Sequence, residues 1–318
     1  MNRFHFRRAD SKKVVAVLLL ALCFTSFTSS AYAQKKLNVV TTLTDLKSIA
    51  LAVGGDRVDV TTIATGYQNP HFVDPKPSFI MKMTRADVFV TIGLDLELGW
   101  VPPLLNSARN PDILKGSAGY VDASENIPLL QIPVSISREQ GDIHIYGNPH
   151  YWLDPQNGKI IARNILDGLV RRQPESRDYF NANYNAFVDE LDRKMAEWAA
   201  DMAPYRGRRL IAYHNQWPYL ETALGFVVLD FLEPKPGIPP TPSQLAKIIG
   251  LMKRESVHTL IISPYFRVDS AELVARNVDG SVVILASSVE AFPEVKTYFD
   301  LFDYNVARLK EAFQTATH

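Results

Sequence analysis

Short apolar runs alternate with amphipathic stretches from residue 36 onward. KLNVVTT at 36–42 reads as a strand and 44–53 as a helix stopped by Gly54 and Gly55. A second strand follows at 58–64, a third at 86–92 (ADVFVTI) and a short fourth at 120–123. The pattern restarts beyond residue 205, with strands at 209–213 (RLIAY), 226–232, 259–262 (TLII) and 281–285 (SVVIL). Helical stretches separate these at about 220–224, 243–254 and 269–277. Nearly continuous apolar strands alternating with helices predict parallel sheets covered on both faces. Between the two sets, Phe180, Tyr184, Phe187, Leu191, Met195, Trp198 and Met202 recur every three or four residues, giving one apolar face of a helix over 175–202. At 1.5 Å per residue such a helix spans roughly 42 Å, enough to run along two bodies and stiffen them against hinge motion. The expected fold class is therefore α/β: two doubly wound α/β lobes joined by one long backbone helix. The N-terminal lobe takes 34–173, the linking helix 174–203 and the C-terminal lobe 204–318.

The first 33 residues break the pattern. Arg3, Arg7, Arg8, Lys12 and Lys13 precede an apolar run of 11 residues, 14–24, and a polar stretch ends in Ala31-Tyr32-Ala33. This is the plan of a secretory signal peptide, and the run is too short for the roughly 20 residues of a spanning helix. Cleavage after Ala33 is expected, leaving a secreted, periplasmic chain that begins at Gln34. Leu22 is bulky where a lipid-attachment signal carries a small residue, so a lipid anchor at Cys23 is not expected.

Composition narrows the function. Apolar residues make up 47% of the 318 and charged residues 21%, which are globular values and exclude a wholly disordered chain. The 34 basic and 34 acidic residues balance, against a nucleic-acid partner bound through phosphates. The signal carries five of those bases and one acid, so the mature chain is mildly acidic. Cys23 is the one cysteine, which excludes a disulfide framework and a cysteine-rich metal site.

Three histidines share a setting. His71 lies in NPHFVDP just past the second strand, His150 in NPHYWLDP, and His214 ends RLIAY. Open parallel sheets bind ligands outside the carboxyl ends of their strands, and the proline before two of these histidines restricts the loop that carries the imidazole. One such histidine is ordinarily a satisfied loop residue; three at strand ends, two in matching local sequence, point to a shared metal. Imidazole suits zinc, and carboxylate and water suit manganese or magnesium. A four-coordinate zinc needs a further ligand or a water, and Glu233 and Glu290 stand near other strand ends.

Taken in order, LNVVTTLTDL, NPHFVDPKPS, GLDLELGW at 93–100, NPHYWLDP, AYHNQWPYLETALG, EPKPGIPP and TYFDLFDYNVARL resemble the metal-specific solute-binding proteins of ABC transporters, the ZnuA/TroA type, over essentially the whole mature chain. The resemblance implies a metal site in the cleft between the lobes, ligands at His71, His150 and His214, and a monomer that delivers its ion to a membrane permease with a cytoplasmic ATPase. Three histidines mark the zinc-like subgroup, since manganese-type members usually have a carboxylate where His214 stands. The chain departs from the pattern twice. The family's fourth ligand, an aspartate after the last strand, falls near Ser288. The His/Asp-rich loop of zinc members is reduced to 135–147 with His144 and Asp142, so that His144 is read as a solvent-exposed histidine, with auxiliary metal capture as the alternative.

The expected function is thus capture and delivery of Zn2+ without chemistry, with affinity falling as the pH drops through about 6.5, the ordinary histidine range. Cargo of Mn2+ or Fe2+ is the alternative within the same fold. A zinc-dependent hydrolase, with Glu233 or Glu290 as general base, is the rival class; no H-E-x-x-H motif supports it.

Overall fold

The computed structural model describes Met1 and residues 35–134, 144–235 and 237–315. Residues 2–33 of the signal segment, Cys23 among them, lie outside the described residues, as do Asp142 and His318. Residues 1–35 and 36–318 form separate units, and every strand and helix named below belongs to the second.

Among the described residues, eight strands form two parallel sheets of four. β1 (Leu37–Thr41), β2 (Val58–Thr62), β3 (Val88–Thr91) and β4 (Tyr120–Asp122) lie in the order β2-β1-β3-β4. β5 (Arg209–Ala212), β6 (Val227–Phe231), β7 (Thr259–Ile262) and β8 (Ser281–Ile284) repeat that order as β6-β5-β7-β8. The inner strands β3 and β7 are buried at every position, while the edge strand β6 is exposed or half-buried throughout. Burial on both faces is why the inner strands read as unbroken apolar runs. In each sheet the chain order reverses beside the first strand, so loops leaving the carboxyl ends there diverge and open a crevice.

The helices expected from the apolar pattern form as α1 (Thr44–Gly54), α5 (Arg177–Met202), α6 (Pro218–Leu224), α7 (Pro242–Glu255) and α8 (Asp269–Arg276). Four others were not legible: α2 (Pro77–Thr84), α3 (Val101–Ala108), α4 (Pro155–Arg172) and α9 (Tyr298–Thr315). Helix α4 starts at the D-P after the second NPH segment. Asp154 caps it by accepting from the Gln156 amide at 2.9 Å, and Pro155 fills the first turn, where a missing N–H costs nothing. The first D-P does not cap a helix; α2 begins two residues later, at Pro77.

Helix α5 has 26 residues and so is about 39 Å long. Phe180, Phe187, Leu191, Trp198 and Met202 are buried, with Tyr184 and Met195 packed at the margin. Near its start Tyr179 donates to Asp56 at 2.7 Å and Asn183 to the Val53 carbonyl at 3.1 Å, which fastens it to the end of α1. Near its end Trp198 donates to Asp303 at 2.7 Å and lies against Phe302, which fastens it to α9. One rigid rod therefore carries contacts to elements beside both sheets.

The turn after β2 meets the turn after β8 at backbone distance. A Cβ on Gly66 would stand 2.0 Å from the Val289 carbonyl oxygen and 2.4 Å from the Glu290 carbonyl carbon. Neither can move as a side-chain tip can. Gly66→Ala is expected to push these turns apart and cost about 1–3 kcal/mol, read as a lower urea midpoint at unchanged m value. An unchanged midpoint would show that the turns are not in contact in solution.

Candidate metal centre

His71 and His150 are held in the same way, and the sequence shows why. In each N-P-H segment the asparagine side chain accepts twice from the histidine two residues on. Asn69 Oδ1 lies 3.1 Å from the His71 amide and 2.9 Å from its Nδ1; Asn148 Oδ1 lies 3.1 Å and 2.9 Å from the same atoms of His150. This is an Asx turn with proline preset at its centre. An amide oxygen can only accept, so each Nδ1 carries the proton and each Nε2 keeps its lone pair.

His214 follows β5. The Glu233 amide donates to the Tyr213 carbonyl at 2.9 Å, which carries pairing past the ends of β5 and β6 and sets Glu233 beside His214. Glu233 Oε2 lies 2.5 Å from His214 Nδ1, and both side chains are buried. The second carboxylate oxygen accepts from the Gly237 amide at 3.2 Å. Here too the acceptor claims Nδ1 and leaves Nε2 as the donor atom.

The three rings converge. Their candidate ligand atoms all lie within 4.8 Å of one another, and their ring centroids are 5.2 Å (His71–His150), 5.8 Å (His71–His214) and 5.6 Å (His150–His214) apart. His150 Nε2 is buried without a protein hydrogen-bond partner, which leaves its lone pair open to a ligand. Burial first, and the neighbouring rings second, hold His71 and His150 well below the ordinary histidine value of 6.5, so both are neutral and able to coordinate. A cavity of about 220 Å³ lined by His71, His214, Glu233 and Phe266 adjoins the rings. A larger one, about 590 Å³ at the ends of β3 and β4, is lined by Asp95, Asp122 and Lys115 with the apolar face of α3 and contains no histidine.

His144 stands at the same centre, with Nε2 at 3.1 Å from His71 Nε2. Glu290 stands elsewhere. It is largely exposed, pairs with Lys47 at 2.8 Å and lines a separate cavity with Thr44 and Phe299. Ser288 is buried beside the Asp45 carboxylate, whose charged form its hydroxyl favours. His258 Nδ1 lies 2.7 Å from the Val278 carbonyl and takes no part. Sequence reasoning overlooked Asn69 and Asn148, although both stand two residues before a histidine. It also overlooked Trp152, whose ring lies 5.3 Å from that of His150 and whose indole N–H donates to the Ser287 carbonyl at 2.9 Å.

Two similar parallel α/β sheets bridged by a long helix, with imidazoles from both halves meeting between strand ends, fit a metal-specific substrate-binding protein of an ABC transporter, the class that the relatives of this chain share. A family model described as zinc-uptake complex component A, periplasmic, matches residues 39–312, and the chain belongs to that family. It is 24% identical over 307 residues to the manganese ABC transporter substrate-binding lipoprotein PsaA of Streptococcus pneumoniae, covering 93% of this chain and 95% of that protein. It is 25% identical over 300 residues to the manganese-binding lipoprotein MntA of Halalkalibacterium halodurans, covering 92% and 94%. The crystal structure of ZnuA shares the fold with a TM-score of 0.74 at 23% identity, covering 87% of this chain and 99% of that one.

Proposed function

We propose that the chain captures zinc in the periplasm, through Nε2 of His71, His150 and His214, and hands it to a membrane permease driven by a cytoplasmic ATPase. On this reading 1–33 is cleaved as a signal, 34–173 and 204–318 are the lobes, and 174–203 links them. The observation that carries it is the common tautomer. Asn69, Asn148 and Glu233 each occupy an Nδ1, so three lone pairs face one point. An acceptor behind each ligating ring is the usual arrangement in metal centres. Glu233 then serves as the orienter of His214 rather than as a ligand.

PsaA and MntA are named for manganese and the family for zinc uptake; nitrogen donors favour zinc over manganese. The reading is tested on protein secreted by cells and recovered without added metal, followed by competition between the two ions. Zinc should be present or should displace manganese at equimolar concentration. Retention of manganese against zinc would assign the cargo to the alternative. Because His71 and His150 resist protonation, proton competition at these two begins below the pH of about 6.5 expected from sequence.

Asn69→Ala removes the acceptor behind His71 without touching a ligand. Zinc affinity is expected to fall about 10–100-fold, measured by competitive titration with a chelating dye. An unchanged affinity would show that the Asx turn does not set the ring.

A further inference from the structure

We propose that the cavity beyond the ends of β3 and β4 is a second ligand site, which takes an organic ammonium ion carried on an apolar body. Its lining shares no residue with the cavity beside the three histidines, and the inference does not depend on which ion those histidines hold.

Shape and walls are the first argument. The cavity has a volume of about 590 Å³, within the roughly 300–1,000 Å³ of small-molecule sites. Leu94, Leu98, Val101, Leu105 and Leu114 give it apolar walls, with Val101 and Leu105 one turn apart on α3. Leu98 is 63% exposed, Leu114 42% and Tyr146, in the same lining, 51%. Large apolar side chains gathered around one opening and left to water mark a binding surface.

Charge is the second. Asp95 and Asp122 are half-buried in that lining. Asp122 Oδ1 accepts from the Ser124 amide at 3.0 Å and from its hydroxyl at 2.6 Å, which fixes the carboxylate and leaves Oδ2 open. Among the described residues no cation pairs with either acid, although the exposed Lys115 lines the same cavity. The backbone brings the two acids together. Gly93, Leu94 and Asp95 turn at φ +76°, +52° and +63°, and Glu97 holds the turn by accepting from the Ile92 amide at 2.7 Å and the Gly93 amide at 3.0 Å. A Cβ on Gly93 would stand 2.4 Å from Asp122 Oδ1, so Asp122 lies against the turn that carries Asp95. Tyr120 feels this surrounding: burial first, then the charges of Asp122, Glu97 and Glu125, raise its hydroxyl above the ordinary tyrosine value. Tyr120 and Tyr146 also bring aromatic rings to the lining, and such rings attract ammonium groups.

A bare metal ion does not fit. Calcium-like hard cations take about six to eight oxygens, and walls of leucine and valine supply none. Among the described residues, the group that gathers three ligand atoms closely is His71, His150 and His214, and none of these lines the cavity. An organic cation satisfies both halves of the lining at once, its charge on the carboxylates and its body on the apolar walls.

Calorimetric titration of the zinc-loaded secreted protein with 2-phenylethylamine and with n-hexylamine tests this; 3-phenylpropionate is the probe of similar body and opposite charge. Saturable one-to-one binding of an amine is expected, and none of the anion. Asp95→Asn and Asp122→Asn should each weaken amine binding about 10–100-fold, the range for one charged hydrogen bond. Lys115→Ala should tighten it, because a like charge is removed. Zinc affinity should be the same in all three variants, which separates loss of this site from loss of fold. No saturable binding of either amine, or equal binding of the anion, would overturn the site. Amine binding that survives both aspartate substitutions unchanged would place the amine elsewhere and overturn it too. Weaker binding in Lys115→Ala would overturn the assignment of a simple cation.

Discussion

His150→Ala is expected to abolish the rise in thermal midpoint that zinc gives the wild type, while the metal-free variant melts close to the metal-free wild type. A ligand that binds only the folded state at 100 times its Kd adds about 2.7 kcal/mol, and at 1,000 times about 4.1 kcal/mol; loss of a central ligand removes most of it. The metal-free comparison is the more informative half. His150 is 1% exposed, and its Nε2 is buried without a partner. An unsatisfied buried polar atom costs about 1–3 kcal/mol. Truncation relieves that cost but gives up packing on Trp152, and the two effects oppose each other. Calorimetry with and without excess zinc reads both. A variant still stabilised by zinc as strongly as the wild type would remove His150 from the site.

Asp45→Asn should alter the dependence of stability on pH in the metal-free protein. Asp45 lies at the start of α1, fully buried, and burial raises its carboxyl from 3.8 to about 7. The Val289 amide, donating at 3.0 Å, and Ser288 act in the other direction; the Glu290 carboxylate, itself held by Lys47, adds to the rise. The folded state thus holds a proton that the unfolded chain releases, so between pH 4 and 7 Asp45 makes stability fall as pH rises. The loss reaches up to about 4 kcal/mol at pH 7 and is constant above. Asparagine retains an acceptor for the Val289 amide and cannot ionise. The variant is therefore expected to gain on the wild type progressively from pH 4 to 7. The difference between the two is the quantity to measure, by urea unfolding in chelator, because His71 and His150 act in the opposite sense: held below 6.5 when folded, they favour the folded state less as the pH falls. Glu97, buried and raised from 4.5 to about 7 by the same cause, leaves a slope of the same sign as Asp45 in the variant. A pH-independent difference between wild type and Asp45→Asn would mean that Asp45 is not protonated in the fold.

Asp45 and Ser288 meet where the turn after β8 reaches the start of α1. Thr44 donates to the Val289 carbonyl at 2.6 Å while Asp45 accepts from the Val289 amide. That turn is thus clamped to the start of α1, and Gly66 admits it at backbone distance.

Periodicity alone determined the two sets of parallel strands and the long helix, because strands buried on both faces and a helix with one buried face leave one-dimensional marks. The helices it missed show the limit. Gly158 and Gly168 weaken the helical signal of α4, yet each is where a neighbour comes close: a Cβ would stand 2.5 Å from Tyr298 and 2.3 Å from Val121. Packing partners distant in sequence override local propensity there. At the candidate site, residue types at strand ends were enough to single out His71, His150 and His214. What only the tertiary structure decided was where each remaining group lies. Glu233 and Glu290 look alike in sequence, and one faces a buried ring while the other faces a surface lysine. Which atom meets which depends on β5 pairing with β6 and on β8 ending against α1, contacts between segments far apart in the chain that no local pattern encodes.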